Sequence, residues 1–317
     1  MLYQVASRLH LVWISHPHAD HHLGLVAVIR NRHSLLAARE SCTSVPPLLV
    51  IGPPAVLDYL QLYAALVDPG IKGMFVALPC HLFEPGEVGG ANSAIISEKD
   101  REICLERFKL MHITELVNAP VVHCSQSYGV AITFDLSAPQ ASPSASADSH
   151  DTKRTKLQSG CRFKVVYSGD TRPCQALVDI GMRADVLIHE ATFDDTLTQE
   201  ALNKRHSTIS EALEVAFLMQ AKSTILTHFS QRYPHIPPLP ANPRHTTPLF
   251  AFDFMTVSTA YLSWGERVTE ALTRAFPAEE DAADEDEVAM TGPPGAICVS
   301  CSDCAGVMTC MGCRTVK

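Results

Sequence analysis

The sequence predicts an α/β fold whose chemistry collects at the carboxyl ends of strands, and three observations carry that reading. Leu9 to Ser15 (LHLVWIS) is apolar enough to be a buried strand. Behind Gly24, apolar residues recur at helical spacing from Leu23 to Arg39, so a helix follows the loop that leaves this strand. Three later runs repeat the strand signal, and each ends in a side chain able to bind a metal: Val121-Val122-His123, Lys164 through Asp170, and Thr224 through His228. Open α/β sheets place their sites at such strand exits.

The first exit is the most informative. Ser15-His16-Pro17-His18-Ala19-Asp20-His21-His22-Leu23-Gly24 carries three imidazoles and a carboxylate at the spacing H-x-H-x-D-H. His16 and His18 lie two apart, so on extended backbone both rings point to the same side, while Asp20 and His21 follow on the turn. One loop could therefore serve two metal ions, with His22 left facing outward or supporting the others. A histidine-rich surface loop is the bland alternative, and the ligand spacing argues against it. A lone His or Asp after an apolar run is more often a turn former or a satisfied structural residue. Four such events in one chain point to a composite site instead.

Two further elements follow in order. Ala184 to Ile188 is another apolar run, and it leads into Glu190. Thr208-Ile209-Ser210-Glu211 reads as a capping box opening a helix over residues 210 to 220, which puts His206 just before a helix N-terminus. The helix dipole there is expected to lower the imidazole pKa, leaving a group near neutrality able to shuttle a proton.

Together SHPHADHHLG, SYG (Ser127 to Gly129), YSGDTRPC (Tyr167 to Cys174), HEAT (His189 to Thr192), HST (His206 to Thr208) and THFSQRYP (Thr227 to Pro234) resemble the metallo-β-lactamase superfamily, and within it the tRNase Z family, whose long eukaryotic form is matched by its C-terminal half. The resemblance covers roughly residues 9 to 235, and the HEAT, HST and SQRY elements are what separate it from other hydrolases of this fold. It implies an αββα sandwich and a zinc-dependent endoribonuclease that removes the 3′ trailer from precursor tRNA, leaving a 3′-hydroxyl on the tRNA. It implies two zinc ions, with Mn2+ or Mg2+ as the other ions that suit these ligands. His16, His18 and His123 would hold one ion, Asp20, His21 and His228 the other, and Asp170 would bridge them. His206 would be the proton donor to the leaving oxygen, Glu190 its orienting partner, and Asp20 the proton acceptor. Relatives of this fold form homodimers, which leaves dimerisation open for this chain, and the family implies action in the nucleus and/or mitochondrion, with the cytoplasm as the alternative. The remaining alternatives are another phosphodiesterase of the same fold and a truncated, non-catalytic homologue.

Composition agrees with an intracellular enzyme: 317 residues, 46% hydrophobic and 19% charged. No apolar run reaches the ~18 residues of a membrane span, and no basic segment precedes an apolar stretch, so the expectation is neither membrane nor secretion. Six scattered cysteines (Cys42, Cys80, Cys104, Cys124, Cys161 and Cys174) lack disulfide-like spacing and are read as reduced thiols. The net charge of −9 is unusual for an RNA-handling chain. Much of it is local: Glu279 to Glu287 holds seven of the 34 acidic residues, leaving 27 acidic against 25 basic elsewhere.

We expect a catalytic domain over residues 1–275, interrupted by a flexible Ser/Ala/Pro-rich insertion at 137–160 in a hairpin-like position. Pro237 to Pro248 begins a less regular part with one helix near Ser258 to Phe276. Residues 276–317 read as a disordered acidic tail carrying Cys298, Cys301, Cys304, Cys310 and Cys313, whose x2 spacing could hold zinc but lacks an apolar scaffold. Against the family pattern, few residues precede the histidine loop. The expectation is a truncated chain with every ligand present and the first sheet incomplete.

Overall fold

A computed structural model describes residues 5–39, 45–86, 96–137, 161–230, 239–240, 244, 246–252, 255–259, 262 and 265–275 of the 317-residue chain. The chain divides into Met1–Phe276 and Pro277–Lys317. The acidic run and the cysteine-rich tail lie outside the described residues, as do Cys42, most of the 137–160 insertion, and Gln231, Arg232 and Tyr233.

Strands β1 (Leu11–Trp13), β2 (Leu48–Gly52) and β3 (Phe75–Pro79) form a parallel three-stranded sheet in that order. Strands β4 (Ile113–Pro120), β5 (Tyr128–Asp135), β6 (Arg162–Tyr167), β7 (Val186–Glu190), β8 (Ser223–Thr227) and β9 (Leu249–Phe250) form a second sheet in chain order. Its first two pairings are antiparallel and the rest parallel. Parallel neighbours need a crossover, and helices supply it. After the short α1 (Ala19–His22), α2 (Leu25–Ala37) links β1 to β2 and α3 (Pro54–Leu66) links β2 to β3. In the second sheet α4 (Glu98–Leu110) precedes β4, α5 (Gln175–Gly181) links β6 to β7, and α6 (Thr198–Lys204) with α7 (Ile209–Met219) links β7 to β8. Finally α8 (Gly265–Ala275) follows β9.

Alternating side chains decide how these parts stack. From β2, Leu49 and Ile51 pack with Leu116, Tyr128 and Val130 of the second sheet, forming the core between the sheets. Leu48 and Val50 point the other way, into a core shared with Ile29 of α2 and Leu57 and Leu60 of α3. On the far side of the second sheet, Ala131, Val166 and Leu187 pack against Leu177 of α5 and Val215 and Met219 of α7. The order is helix, sheet, sheet, helix. Because β2 is covered on both faces, it is buried along its whole length and reads as a continuous apolar run. Each such Val, Leu or Ile contributes about 1.5–3 kcal/mol. The sheets are also tied by polar contacts: Trp13 Nε1–H donates to Asn118 Oδ1 (3.0 Å), and Asn118 Nδ2–H donates to the Cys80 carbonyl (2.8 Å).

The expected first strand is shorter than read, although Ile14 N–H still bonds to Ile51 O (2.9 Å). The sheet expected to be incomplete consists of β1 and two strands that follow the histidine loop in sequence, β2 and β3. The expected helices appear as α2, α7 and α8, the last beginning later than read. Asp135 opposes Arg162, and Leu136 N–H bonds to Cys161 O (2.9 Å), so the inserted segment joins two paired strand ends. Cys80, Cys104, Cys124, Cys161 and Cys174 are free thiols.

Candidate metal centre

The site lies at the carboxyl ends of β1, β4, β6, β7 and β8, and local backbone chemistry aims each group at it. Trp13 ends β1, and His16 is fully buried two residues beyond Ile14. Its Nδ1 is 2.9 Å from Ser15 Oγ, which leaves Nε2 facing inward. After β6 the chain turns through Gly169 at φ +59, a left-handed conformation that glycine adopts without steric cost. A Cβ there would also stand 2.8 Å from both Ser15 Cβ and Tyr128 O, so the turn that delivers Asp170 is open only to glycine. His228 follows β8 at φ +63, an uncommon conformation for a residue with a side chain.

Asp170 is the centre. It is 3% exposed, and its Oδ2 lies 3.6 Å from His16 Nε2, 3.5 Å from His21 Nε2, 3.9 Å from His123 Nε2 and 3.5 Å from His228 Nε2. His18 Nδ1 completes a triangle, 3.1 Å from His16 Nε2 and 3.2 Å from His123 Nε2. Asp20 sits at the mouth, solvent-exposed, with Oδ2 3.5 Å from His21 Nε2. All seven residues read as metal ligands thus come to one place: five imidazoles crowd around Asp170, directly or through one another, and Asp20 reaches the group through His21. His22 stands outside it, its ring against Tyr59.

Hydrogen-bond logic shows why a cation fits. A backbone carbonyl only accepts, so His123 Nδ1–H must donate to Arg205 O (2.9 Å), and His123 Nε2 presents a bare lone pair to Asp170. His16 is held neutral, its pKa lowered to about 3 by burial first and then by His21, His123, His18 and His228. Burial also lowers His123, against the opposing pull of its bond to Arg205 O. Asp170 Oδ1 is buried without a hydrogen-bond partner. His123 Nε2 and Asp170 Oδ2 therefore face each other as acceptors across 3.9 Å, an arrangement that a bound cation resolves.

Beside this cluster stands a second arrangement. Glu190, at the end of β7, is 1% exposed, and both its oxygens are fully engaged. Oε1 accepts from Thr171 N–H (2.9 Å) and His206 Nδ1–H (2.9 Å); Oε2 accepts from Thr192 N–H (3.1 Å) and Thr192 Oγ1–H (2.7 Å). The His206 ring stacks on His228 at 5.5 Å and lies 4.7 Å from His123. The capping box is present: Thr208 Oγ1 accepts from Glu211 N–H and Glu211 from Thr208 N–H.

One expectation is corrected here. Burial pulls the His206 pKa down, but the hydrogen bond to Glu190 and that carboxylate's charge outweigh it, so the pKa is raised rather than lowered. A charge at hydrogen-bond distance overrides a helix dipole acting from residues away. Burial likewise pushes Glu190 up, and the His206 and Thr171 bonds more than offset it.

Sequence reasoning missed three supporting residues. Arg172 donates to the His206 carbonyl (2.6 Å) and pairs with Glu211, tying the His206 loop to α7. Arg205 holds His123 from both sides, through its carbonyl and through Nη1–H to His123 O (2.8 Å). Thr192 touches Glu190, His206 and His228 at once. Arg172 and Thr192 fall inside the YSGDTRPC and HEAT motifs, but a long-range contact leaves no periodic signal to read.

Among known proteins, a family model described as a β-lactamase superfamily domain matches residues 106–229, which include His123, Asp170, Glu190, His206 and His228. A mitochondrial tRNase Z from Arabidopsis thaliana is 32% identical over 322 residues, covering 90% of this chain and 33% of that protein. The zinc phosphodiesterase ELAC protein 2 of Homo sapiens is 35% identical over 255 residues, covering 80% of this chain and 26% of the relative. A crystal structure of a long form RNase Z from yeast superposes with a TM-score of 0.67 at 27% identity, over 87% of this chain and 36% of that one. The chain thus spans about a third of the length of these relatives. With the four-layer fold and the Asp170-centred cluster, these matches show the metallo-β-lactamase fold and a likeness to tRNase Z proteins over most of this chain.

Proposed function

We propose that this chain is the catalytic portion of a metal-dependent endoribonuclease that removes the 3′ trailer from precursor tRNA. The observation that carries the reading is the Glu190–His206 pair stacked against His228, a proton-handling group set beside a metal-ready cluster. Its likeness to relatives named tRNase Z supports the substrate class. In this reading His16, His18 and His123 would hold one zinc ion and Asp20, His21 and His228 the other, with Asp170 shared between them. Bound divalent ions would supply a water acidic enough to ionise near neutral pH and charge to neutralise the phosphoryl oxygens.

The protein's own groups account for the protons. As water oxygen bonds to phosphorus and the bond to the ribose 3′ oxygen breaks, exposed Asp20 takes the water proton and His206 gives one to the departing 3′ oxygen. The tRNA is left with a 3′-hydroxyl and the trailer with a 5′-phosphate. Glu190 favours the charged imidazole and, by engaging Nδ1–H, leaves Nε2–H as the proton to be given. Among the described residues no helix is long and apolar enough to cross a membrane. The naming of the Arabidopsis relative supports action in the mitochondrion.

The test pairs metal content per chain, by elemental analysis, with cleavage of a precursor tRNA bearing a 3′ trailer. Two zinc ions and a cut beside the discriminator base are expected. Cleavage of a simple phosphodiester without pre-tRNA cleavage would overturn the substrate in favour of another hydrolase of this fold. Absence of metal would overturn the catalytic reading.

A further inference from the structure

Thr192 stands where the proton-handling pair and the metal cluster meet. Its hydroxyl has one proton and two lone pairs, and three partners surround it: Glu190 Oε2 at 2.7 Å, His228 Nδ1 at 2.8 Å and His206 Nδ1 at 3.2 Å. A carboxylate only accepts, so the hydroxyl proton goes to Glu190. His228 Nδ1 must then carry its own proton and donate it to Thr192, which strips Nε2 of hydrogen and presents a lone pair to Asp170 at 3.5 Å. His206 Nδ1–H, donating chiefly to Glu190 Oε1 at 2.9 Å, takes the remaining lone pair as a minor partner. The hydroxyl is thus fully used within the site. The Thr192 backbone is anchored separately, with N–H to Glu190 Oε2 and the carbonyl accepting from Ser230 N–H (3.1 Å).

We propose that Thr192 is a positioning residue through which Glu190 fixes the tautomer and ring orientation of His228, so that one buried carboxylate orients a metal ligand and the proton donor together. The inference rests on the reading of His228 as a metal ligand. His228 needs such a tether. It sits on a strained left-handed turn, its side chain is a third exposed, and among the described residues Thr192 is the hydrogen-bond partner found for its Nδ1. Without the hydroxyl, the proton can move to Nε2, where it faces the other ligands and blocks metal binding. Groups that orient a ligand in this way typically change metal affinity by 10–100-fold when removed.

The experiment is zinc affinity by competition with a chromophoric chelator, on the full chain, for wild type, Thr192→Val, Thr192→Ser, Glu190→Gln and His206→Ala. Wild type is expected to bind two zinc ions. Thr192→Val, close in shape but without the hydroxyl, should weaken one of them by about 10–100-fold. Thr192→Ser should retain wild-type affinity. Glu190→Gln should weaken the same ion although Glu190 touches no ligand, and His206→Ala should not. Unchanged affinity in Thr192→Val, or equal loss in Thr192→Ser, overturns the inference while leaving the two-zinc reading intact. If Thr192→Val fails to fold, unchanged affinity in Glu190→Gln overturns it instead. Fewer than two zinc ions in wild type overturns the metal reading and this inference with it.

Discussion

The first sheet delivers His16, His18, Asp20 and His21 from one loop, whereas the second delivers His123, Asp170, Glu190 and His228 from four separate strand ends. The two deliveries differ in how they are held. The loop passes into α1, a single turn with no side-chain cap, and His18 and Asp20 are exposed. Among the described residues, the hydrogen bond found for these rings from outside the cluster is that of Ser15 Oγ to His16. On the second sheet every group but Asp170 is braced: His123 by Arg205, Glu190 by four donors, His228 by Thr192, and the His206 loop by Arg172. Adjacent ligands are easy to encode but leave little room for supporting partners. Dispersed ligands each inherit the rigidity of a strand end. The second-sheet half is thus held by its own hydrogen bonds, and the loop half is expected to gain its order from a bound cation.

The bridging position is where this contrast breaks most completely. Asp170→Ala should abolish cleavage along with most of the bound metal, since Asp170 Oδ2 lies close to imidazoles of both halves; elemental analysis and a pre-tRNA assay on the same sample check it. His206→Ala comes next, lowering kcat by about 10²–10⁴-fold at unchanged metal content. Equal metal loss in both variants would end this division of roles. At the turn between the halves, Gly169→Ala should destabilise the fold by about 1–3 kcal/mol in denaturant unfolding, because of its positive φ and the close approach of Ser15 and Tyr128 O. Thr208→Ala removes the α7 cap and should cost about 1 kcal/mol with metal affinity retained. Stripping metal with a chelator then sharpens the comparison. Amide exchange should rise around His16 to His22 and stay near its loaded value in β7 and β8, and a uniform rise would show that both halves rely on the cation.

Much of this was legible beforehand. The H-x-H-x-D-H spacing, the strand exits at His123, Asp170 and His228, and the Thr208–Glu211 capping box each depend on neighbours within a few residues, where side-chain alternation and cap chemistry act directly. β2 and β3 were harder to see. A strand covered on both faces shows no alternation, and Leu48–Gly52 is such a strand. The direction of the His206 shift was also out of reach, because it comes from Glu190 on a different strand and not from the helix that follows His206.

By itself, the sequence determined the fold class, the candidate ligands and the family to which their spacing belongs, because local apolar period and local ligand spacing are properties of the chain. Only the tertiary structure decided which nitrogen of His123 and of His228 faces Asp170, that Glu190 is saturated with donors, and that Thr192 joins the two arrangements. Tautomers and proton affinities follow from hydrogen-bond partners brought together across 14 to 82 positions of chain, and no local pattern records them.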